Sequence, residues 1–511
     1  MVSQAVLYFW VDEKYFLFLQ FSFQIDKHTD SDYHDKVCFI IISPETRKHM
    51  QTTNMISGGI TKSLLLFALP MMAGNLLQQL YNIADTLIVG QFLGADALAA
   101  VGSSYTLMTF LTSILLGLCM GSGVVFSLCY GEGDHRRLRQ SAFLSFGFIA
   151  AITLALFVLS LCGTAVIIRL MQVPDEVVQP MHSYLWVIFW GIPAVFLYNY
   201  FAALLRAVGN SVVPLVFLAV SSVLNIGLDL VFVLIFHWGV AGAAAATILS
   251  QYLSGVGILL YTLLRFPKLR PKRQEMKWNR AVFRELASFS LLTCVQQSIM
   301  NFGILMVQGL VNSFGTNTMA AFAAAVKIDS FAYMPVQDFG NAFSTFAAQN
   351  YGAKQFERLN KGIRSAVAAA FCFCVVISLL VCLFAQPLMQ IFVPANETEI
   401  ISIGMNYLWI EGSCYFGIGL LFLLYGIYRA VKLPAMSVVL TVISLGTRVL
   451  LAYTLSAFPA IGTTGIWVSV PIGWLLADLT GIFYWMRNRR RIFSRYTPDH
   501  PDNKAKMSTE S

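Results

Sequence analysis

Residues 70–90 read PMMAGNLLQQLYNIADTLIVG, inside an apolar run that begins at Ser63. A bilayer takes about 20 helical residues to cross, so the run from Ser63 to Gly90 is long enough to span. It nevertheless carries Asn75, Gln78, Gln79, Asn82 and Asp85. Steps of three and four residues place these polar groups on one face of a helix, with Leu76, Leu77, Leu80, Ile83, Leu87 and Ile88 covering the rest. A carboxylate at membrane depth costs at least about 2.5 kcal/mol on insertion scales and is turned toward protein or a water-filled cavity. A seam that only glues helices together is normally built from Ser, Thr or Asn rather than an acid. The stretch therefore reads as a membrane helix that takes up a proton or a cation. Pro70 lies inside it, lacks a backbone donor and favours a bend.

The rest of the 511 residues agrees with a membrane reading. Hydrophobic residues make up 57% and charged residues 12%, against about 25% charged in soluble domains. The fold class expected is an all-α polytopic membrane protein. Twelve apolar spans are legible, near 63–90, 97–129, 141–170, 184–206, 212–236, 240–264, 286–313, 318–347, 365–392, 404–430, 434–457 and 464–486. Basic residues gather after every even-numbered span: Arg136, Arg137 and Arg139; Arg206; the run from Arg265 to Arg284; Lys354, Arg358, Lys361 and Arg364; Arg429 and Lys432; and Arg487 to Arg495. By the positive-inside rule both termini are expected in the cytoplasm. The net charge of +8 thus reflects topology, and nucleic acid is not an expected partner. Eight of the nine cysteines lie in apolar runs, where Cys behaves as a small hydrophobe rather than part of a disulfide framework.

The chain also repeats itself. YLWVIFWG at 184–191 returns as YLWIEGSC at 407–414, YGEGDHRRL at 130–138 as YGAKQFERL at 351–359, and Gln78–Gln79 as Gln296–Gln297. Six spans separate the copies, so they are parallel repeats about an axis along the membrane normal. The expected organisation is an N-terminal six-helix lobe at 55–264, a basic linker at 265–285, a C-terminal lobe at 286–486 and a polar tail at 487–511. Residues 1–54 fit neither lobe and lack a signal-peptide pattern. They are expected to be a disordered extension or a mis-assigned upstream start, with Met55 beginning the cleaner sequence.

Other polar residues lie within the spans. Asn225 and Asp229 are four apart in span 5, and Thr247 and Gln251 share a face of span 6. Two carboxylates with amide and hydroxyl oxygens in a low-dielectric site suit either a proton or Na⁺. In the second half, Gln297 and Asn301 form a polar face in span 7. Asp338 lies deep in span 8. Glu411 is read about one and a half turns into span 10, and Arg448 in span 11 needs an acid, with Glu411 or Asp338 the candidates. No HExxH, GxSxG or P-loop pattern occurs, so a membrane-embedded enzyme is disfavoured and no organic cofactor is expected.

PMMAGNLLQQLYNIADTLIVGQFLGADALAAVG, YGEGD, LRAVGN, NIGLDLVF, WGVAGAAAATILSQ and AAVKIDSFAYMPVQDFGNAFSTFAAQNYGA look like the multidrug and toxic compound extrusion family, most of all its prokaryotic DinF-like branch. The resemblance covers roughly 57–490. It implies a two-lobed inner-membrane exporter that exchanges organic, mostly cationic compounds for H⁺ or Na⁺, working as a monomer. It also implies an ion site at Asp85, Asn225, Asp229 and Thr247, with Pro70 as a point of bending; Gln78, Asn82, Gln251, Gln297, Asn301, Asp338 and Glu411, read from the polar faces of their own spans, are expected as further cavity residues. Gln296 and Gln297 stand where other branches carry an acid in the C-terminal lobe. A lipid-linked saccharide flippase of the same superfamily is the alternative; it would need several cavity arginines to hold a pyrophosphate, and Arg448 is the clear intramembrane candidate.

Overall fold

A computed structural model describes residues 2–12, 15–24, 53–170 and 175–494. They belong to two compact units, Met1–His49 and Met50–Ser511. In the first unit, β1 (Val2–Asp12) pairs antiparallel with β2 (Tyr15–Gln24), with Val2 opposite Gln24. This segment belongs to the extension expected to be disordered or a mis-assigned start; its described residues form the hairpin, and runs rich in aromatic residues suit a pleated strand. The expectation for residues 25–52 falls outside the described residues.

The second unit is helical. The long apolar elements are α1 (Ile60–Leu93), α2 (Ala95–Glu132) and α3 (His135–Leu170), then α4 (Asp175–Ile188) joined through a tight turn to α5 (Ile192–Ala207), α6 (Val212–Leu230) and α7 (Gly239–Arg265). The second half has α8 (Arg280–Asn312), α9 (Thr316–Gly352), α10 (Phe356–Leu383), a short α11 (Ala385–Gln390), α12 (Thr398–Gly412) followed by α13 (Tyr415–Ala430), α14 (Pro434–Ser456) and α15 (Thr463–Ser494). Among the described residues, 11 helices are long and apolar enough to span, and the pair α12–α13, bent by 49°, makes a twelfth. The repeat is visible in the breaks. The tight turn Phe189–Gly191 after α4 falls in YLWVIFWG, and the break after α12 falls in the matching YLWIEGSC.

Within the first lobe α1 packs on α6 and α6 on α7; within the second, α9 packs on α13 and α14 on α15. Between lobes the main seam runs along α2 against α8 and α9. This seam is tight in the half of each helix nearest the basic loops. A Cβ on Gly117 would lie 2.6 Å from the Cα of Cys294, and one on Gly121 2.6 Å from the Cα of Ser290. These glycines, four apart, let two backbones meet as small residues do in membrane helix pairs. The Ser122 and Ser290 hydroxyls share a hydrogen bond of 2.8 Å across the same seam. Toward their other ends α2 and α8 carry exposed aromatics instead, Tyr105 and Phe302.

The linker proper runs over 266–279, and residues 280–285 form the first turns of α8, capped by Asn279, whose side chain accepts from the amides of Ala281 and Val282. Arg139 of α3 pins the linker through a two-pronged bond to Glu275, 2.7 and 2.5 Å. That hydrogen bond holds the Glu275 carboxyl down at about 2. Its folded value lies below its unfolded one, so the pin is in place above the ordinary carboxylate range and is lost as pH falls through about 2. Arg139→Ala is therefore expected to free the linker at neutral pH. Trypsin, which cuts at its many Lys and Arg residues, should cleave there several-fold faster; an unchanged rate would show that Arg139 does not hold it.

Candidate functional site

The site in the first lobe starts from α6. Asn225 and Asp229 are one turn apart on its buried face and are 2% and 0% exposed. Just beyond Asp229 the helix loosens into a π-turn over Val231–Ile235, a distortion often found at functional positions. The Asn225 side-chain amide donates to the Thr247 hydroxyl of α7 at 3.2 Å. Asp85, on α1, brings its carboxylate within electrostatic reach of Asp229. The four residues implied by the resemblance thus come from three mutually packed helices.

Their chemistry lies in what is left unbonded. Asp85 Oδ1, Asn225 Oδ1 and both carboxylate oxygens of Asp229 are buried and accept no hydrogen bond in the structure. Buried acceptors normally have a partner, and an orphaned one costs about 1–3 kcal/mol, more when charged. A proton or a hard monovalent cation would satisfy such oxygens, which match the donor set Na⁺ prefers. Tyr184, buried on α4, faces both carboxylates. It was not among the residues singled out from the sequence. Its place at the head of the repeated YLW motif was the available signal, since Tyr407 heads the second copy.

The remaining candidates do not converge on this point. Gln251 turns its Oε1 toward Gly191 at the break after α4, where a Cβ would come within 2.8 Å. Gln78 is exposed and faces Tyr81. The Asn82 carbonyl accepts from the Thr86 hydroxyl at 2.8 Å. Asn301 folds back onto the carbonyl of Gln297 at 3.2 Å. Pro70 sits inside the continuous helix α1. Asp338 serves the lobe interface: its Oδ1 accepts from Asn75 of α1 at 2.6 Å, and Arg206 of the first lobe is the charge facing it.

A second polar cluster occupies the other lobe. Glu411 accepts from Tyr407 at 2.9 Å, and the carboxylates of Glu411 and Asp329 lie within electrostatic reach of one another and of Arg448. Of the two acids considered for Arg448, Glu411 is the one that faces it, and one expectation is corrected. Glu411 is deeper than read, at the penultimate position of α12, about 20 Å from the helix start at 1.5 Å per residue. The helix extends outward through polar residues from Thr398 that an apolar window omits. Asp329 of α9 has partners from α12, α13 and α14, which spacing within α9 does not reveal.

The comparisons with known proteins point one way. The MatE family model matches residues 70–231 and 292–454, once in each lobe. The probable multidrug resistance protein YpnP of Bacillus subtilis (strain 168) is 29% identical over 460 residues, covering 88% of this chain and 100% of that protein. The probable multidrug resistance protein YoeA of the same organism is 28% identical over 445 residues, covering 85% and 95%. A solved structure described as an outward-facing conformation of a multidrug resistance MATE family transporter of the MOP superfamily superposes with a TM-score of 0.81 at 22% identity, covering 88% of this chain and 99% of that one.

Proposed function

The chain belongs to the MatE family, and from that premise we propose that it is a secondary active multidrug exporter, exchanging organic cations for inward H⁺ or Na⁺ by alternating access. One observation carries the reading: two carboxylates, Asp85 and Asp229, face each other inside the first lobe with unbonded oxygens. Two like charges in a low-dielectric site repel. An ion taken up between them relieves that repulsion, and it biases the conformation to the extent that it binds one state better than the other. The ion site is built from α1, α6 and α7, so a change of charge there acts on α1, which also holds Asn75 against Asp338 of the opposite lobe. Relatives named for multidrug resistance support an exporter of varied small molecules. The flippase alternative is disfavoured because Arg448 is balanced by Asp329 and Glu411 rather than free to hold a pyrophosphate. The basic loops support a reading with both termini in the cytoplasm.

The test is efflux of ethidium from proteoliposomes under an imposed pH gradient, and separately under a Na⁺ gradient. Efflux driven by one gradient and abolished by its collapse is the expected result. Dye movement indifferent to both gradients would overturn the exchange mechanism.

A further inference from the structure

The repeat YGEGDHRRL and YGAKQFERL (130–138 and 351–359) is not used by the ion site, yet it places two arginines, Arg137 and Arg358, at the same position in each copy. Both follow a turn with one residue in the left-handed region, Gly133 at φ 73° and Lys354 at φ 58°. The two arginines therefore leave equivalent turns, and each reaches across to the opposite lobe.

Arg137, in the first turn of α3, donates to Glu132 at 2.8 Å and to Glu285 near the start of α8. Lys432, from the loop before α14, completes the group at 3.6 Å from Glu132 and 3.4 Å from Glu285. Two residues come from each lobe, and the four charges alternate in sign. Arg358, in the first turn of α10, donates from Nε to the Met55 carbonyl at 3.2 Å, from Nη2 to Ser57 at 2.9 Å and from Nη1 to Gly58 at 2.8 Å. Asn350 adds a bond to the Met55 carbonyl at 3.1 Å, and the guanidinium lies over the Phe346 ring. So the arginine of each repeat grips the chain entering the first helix of the other lobe: α8 for Arg137, α1 for Arg358.

We propose that Arg137 and Arg358 are paired clamps that form the gate on the basic-loop side, holding the lobes together there while the cavity is open on the opposite side. The inference rests on the transport reading for its role in a cycle, and on geometry for its existence. The two clamps differ in strength of commitment. The Arg137 clamp is made of half-buried side-chain charges that salt and competing ions weaken, whereas the Arg358 clamp is made to backbone carbonyls, neutral dipoles that do not titrate. Opening on this side must break both, because each joins one lobe to the other.

The experiment measures the seam directly. Nitroxide labels at Arg136→Cys and Arg364→Cys, both exposed and on opposite lobes, are introduced with Cys38, Cys162, Cys294, Cys372, Cys382 and Cys414 replaced by serine, and distances are read by double electron–electron resonance in liposomes. The parent protein is expected to give mainly the short distance of the closed seam. Arg137→Gln with Arg358→Gln is expected to move most of the population to a longer distance, and each single variant to move part of it; either single variant carries the test should the double variant fail to fold. Arg137→Glu should open the seam, and Arg137→Glu with Glu285→Arg should close it again. Distance distributions identical to the parent in all these variants would overturn the proposal. If the distances shift as expected but the parent moves no dye under either ion gradient, the gate stands and the exchange reading fails instead.

Discussion

Asp229→Asn is expected to reduce gradient-driven ethidium efflux from proteoliposomes to the level of empty vesicles, a loss of about a hundredfold or more, without loss of helical content. Asn keeps the shape and part of the hydrogen bonding, but it cannot change charge. An acid near the middle of a membrane costs about 2.5–3.5 kcal/mol on insertion scales; at 1.4 kcal/mol per decade, a difference of that size between two conformations is about a hundredfold in their populations, and Asn cannot supply it by changing charge. Asp229 is fully buried with both oxygens unbonded, so Asn in its place removes the cost of ever charging this position, and the thermal midpoint of the variant should equal or exceed that of the parent. Asp85→Asn should uncouple as well. Because the two acids interact, the double variant should lose no more than the worse single variant. Efflux by Asp229→Asn within threefold of the parent would remove this site from the exchange step.

Much of this site was legible in the sequence because the information is local to each helix. Asp85 stood out as an acid in an apolar span, Asn225 and Asp229 as a pair one turn apart, and Thr247 as a hydroxyl on the polar face of its helix. The number of spans and the repeat followed from hydropathy and from quoted motifs, and the 49° bent pair α12–α13 fills the place of the tenth span. What was not legible depends on which faces of different helices meet. Gln251 shares a face with Thr247, yet it turns to Gly191, because the break after α4 presents an open backbone there. Asn301 bonds its own helix, an option that spacing alone never excludes. Asp329, Glu411 and Arg448 come from three helices, so no single segment announces the cluster. The hairpin Val2–Asp12 with Tyr15–Gln24 lies in a segment whose composition argued against the lobes and said little about strands.

Gly131→Val is expected to have the second large effect, and through packing rather than charge. Gly131 and Gly352 hold the same place in the two repeats, each directly after a tyrosine, and α2 and α9 cross there. A Cβ on Gly131 would come within 2.8 Å of the Cα of Gln349, and one on Gly352 within 3.1 Å of the amide nitrogen of Glu132. Both obstacles are backbone, which cannot swing aside as a side chain can. Gln349 also donates to the Ala207 carbonyl at 2.8 Å, so forcing α9 away breaks a buried bond between lobes. Overpacking of this kind costs about 1–3 kcal/mol or more, and two states of a transporter separated by a few kcal/mol are readily inverted by it. The expected result is at least a tenfold loss of efflux with the seam held apart. Cys294 reports on the seam without any new label, since it packs against Gly117 there. Its alkylation by a membrane-permeant maleimide, read by mass spectrometry, should rise several-fold in Gly131→Val and in Gly352→Val, while Gly147→Val, at a position with no neighbour in reach of a Cβ, should leave it unchanged. Equal alkylation in all three would mean that the crossing glycines do not set the closed seam. The repeated tyrosine–glycine pair would then need another explanation than the close approach of two helices.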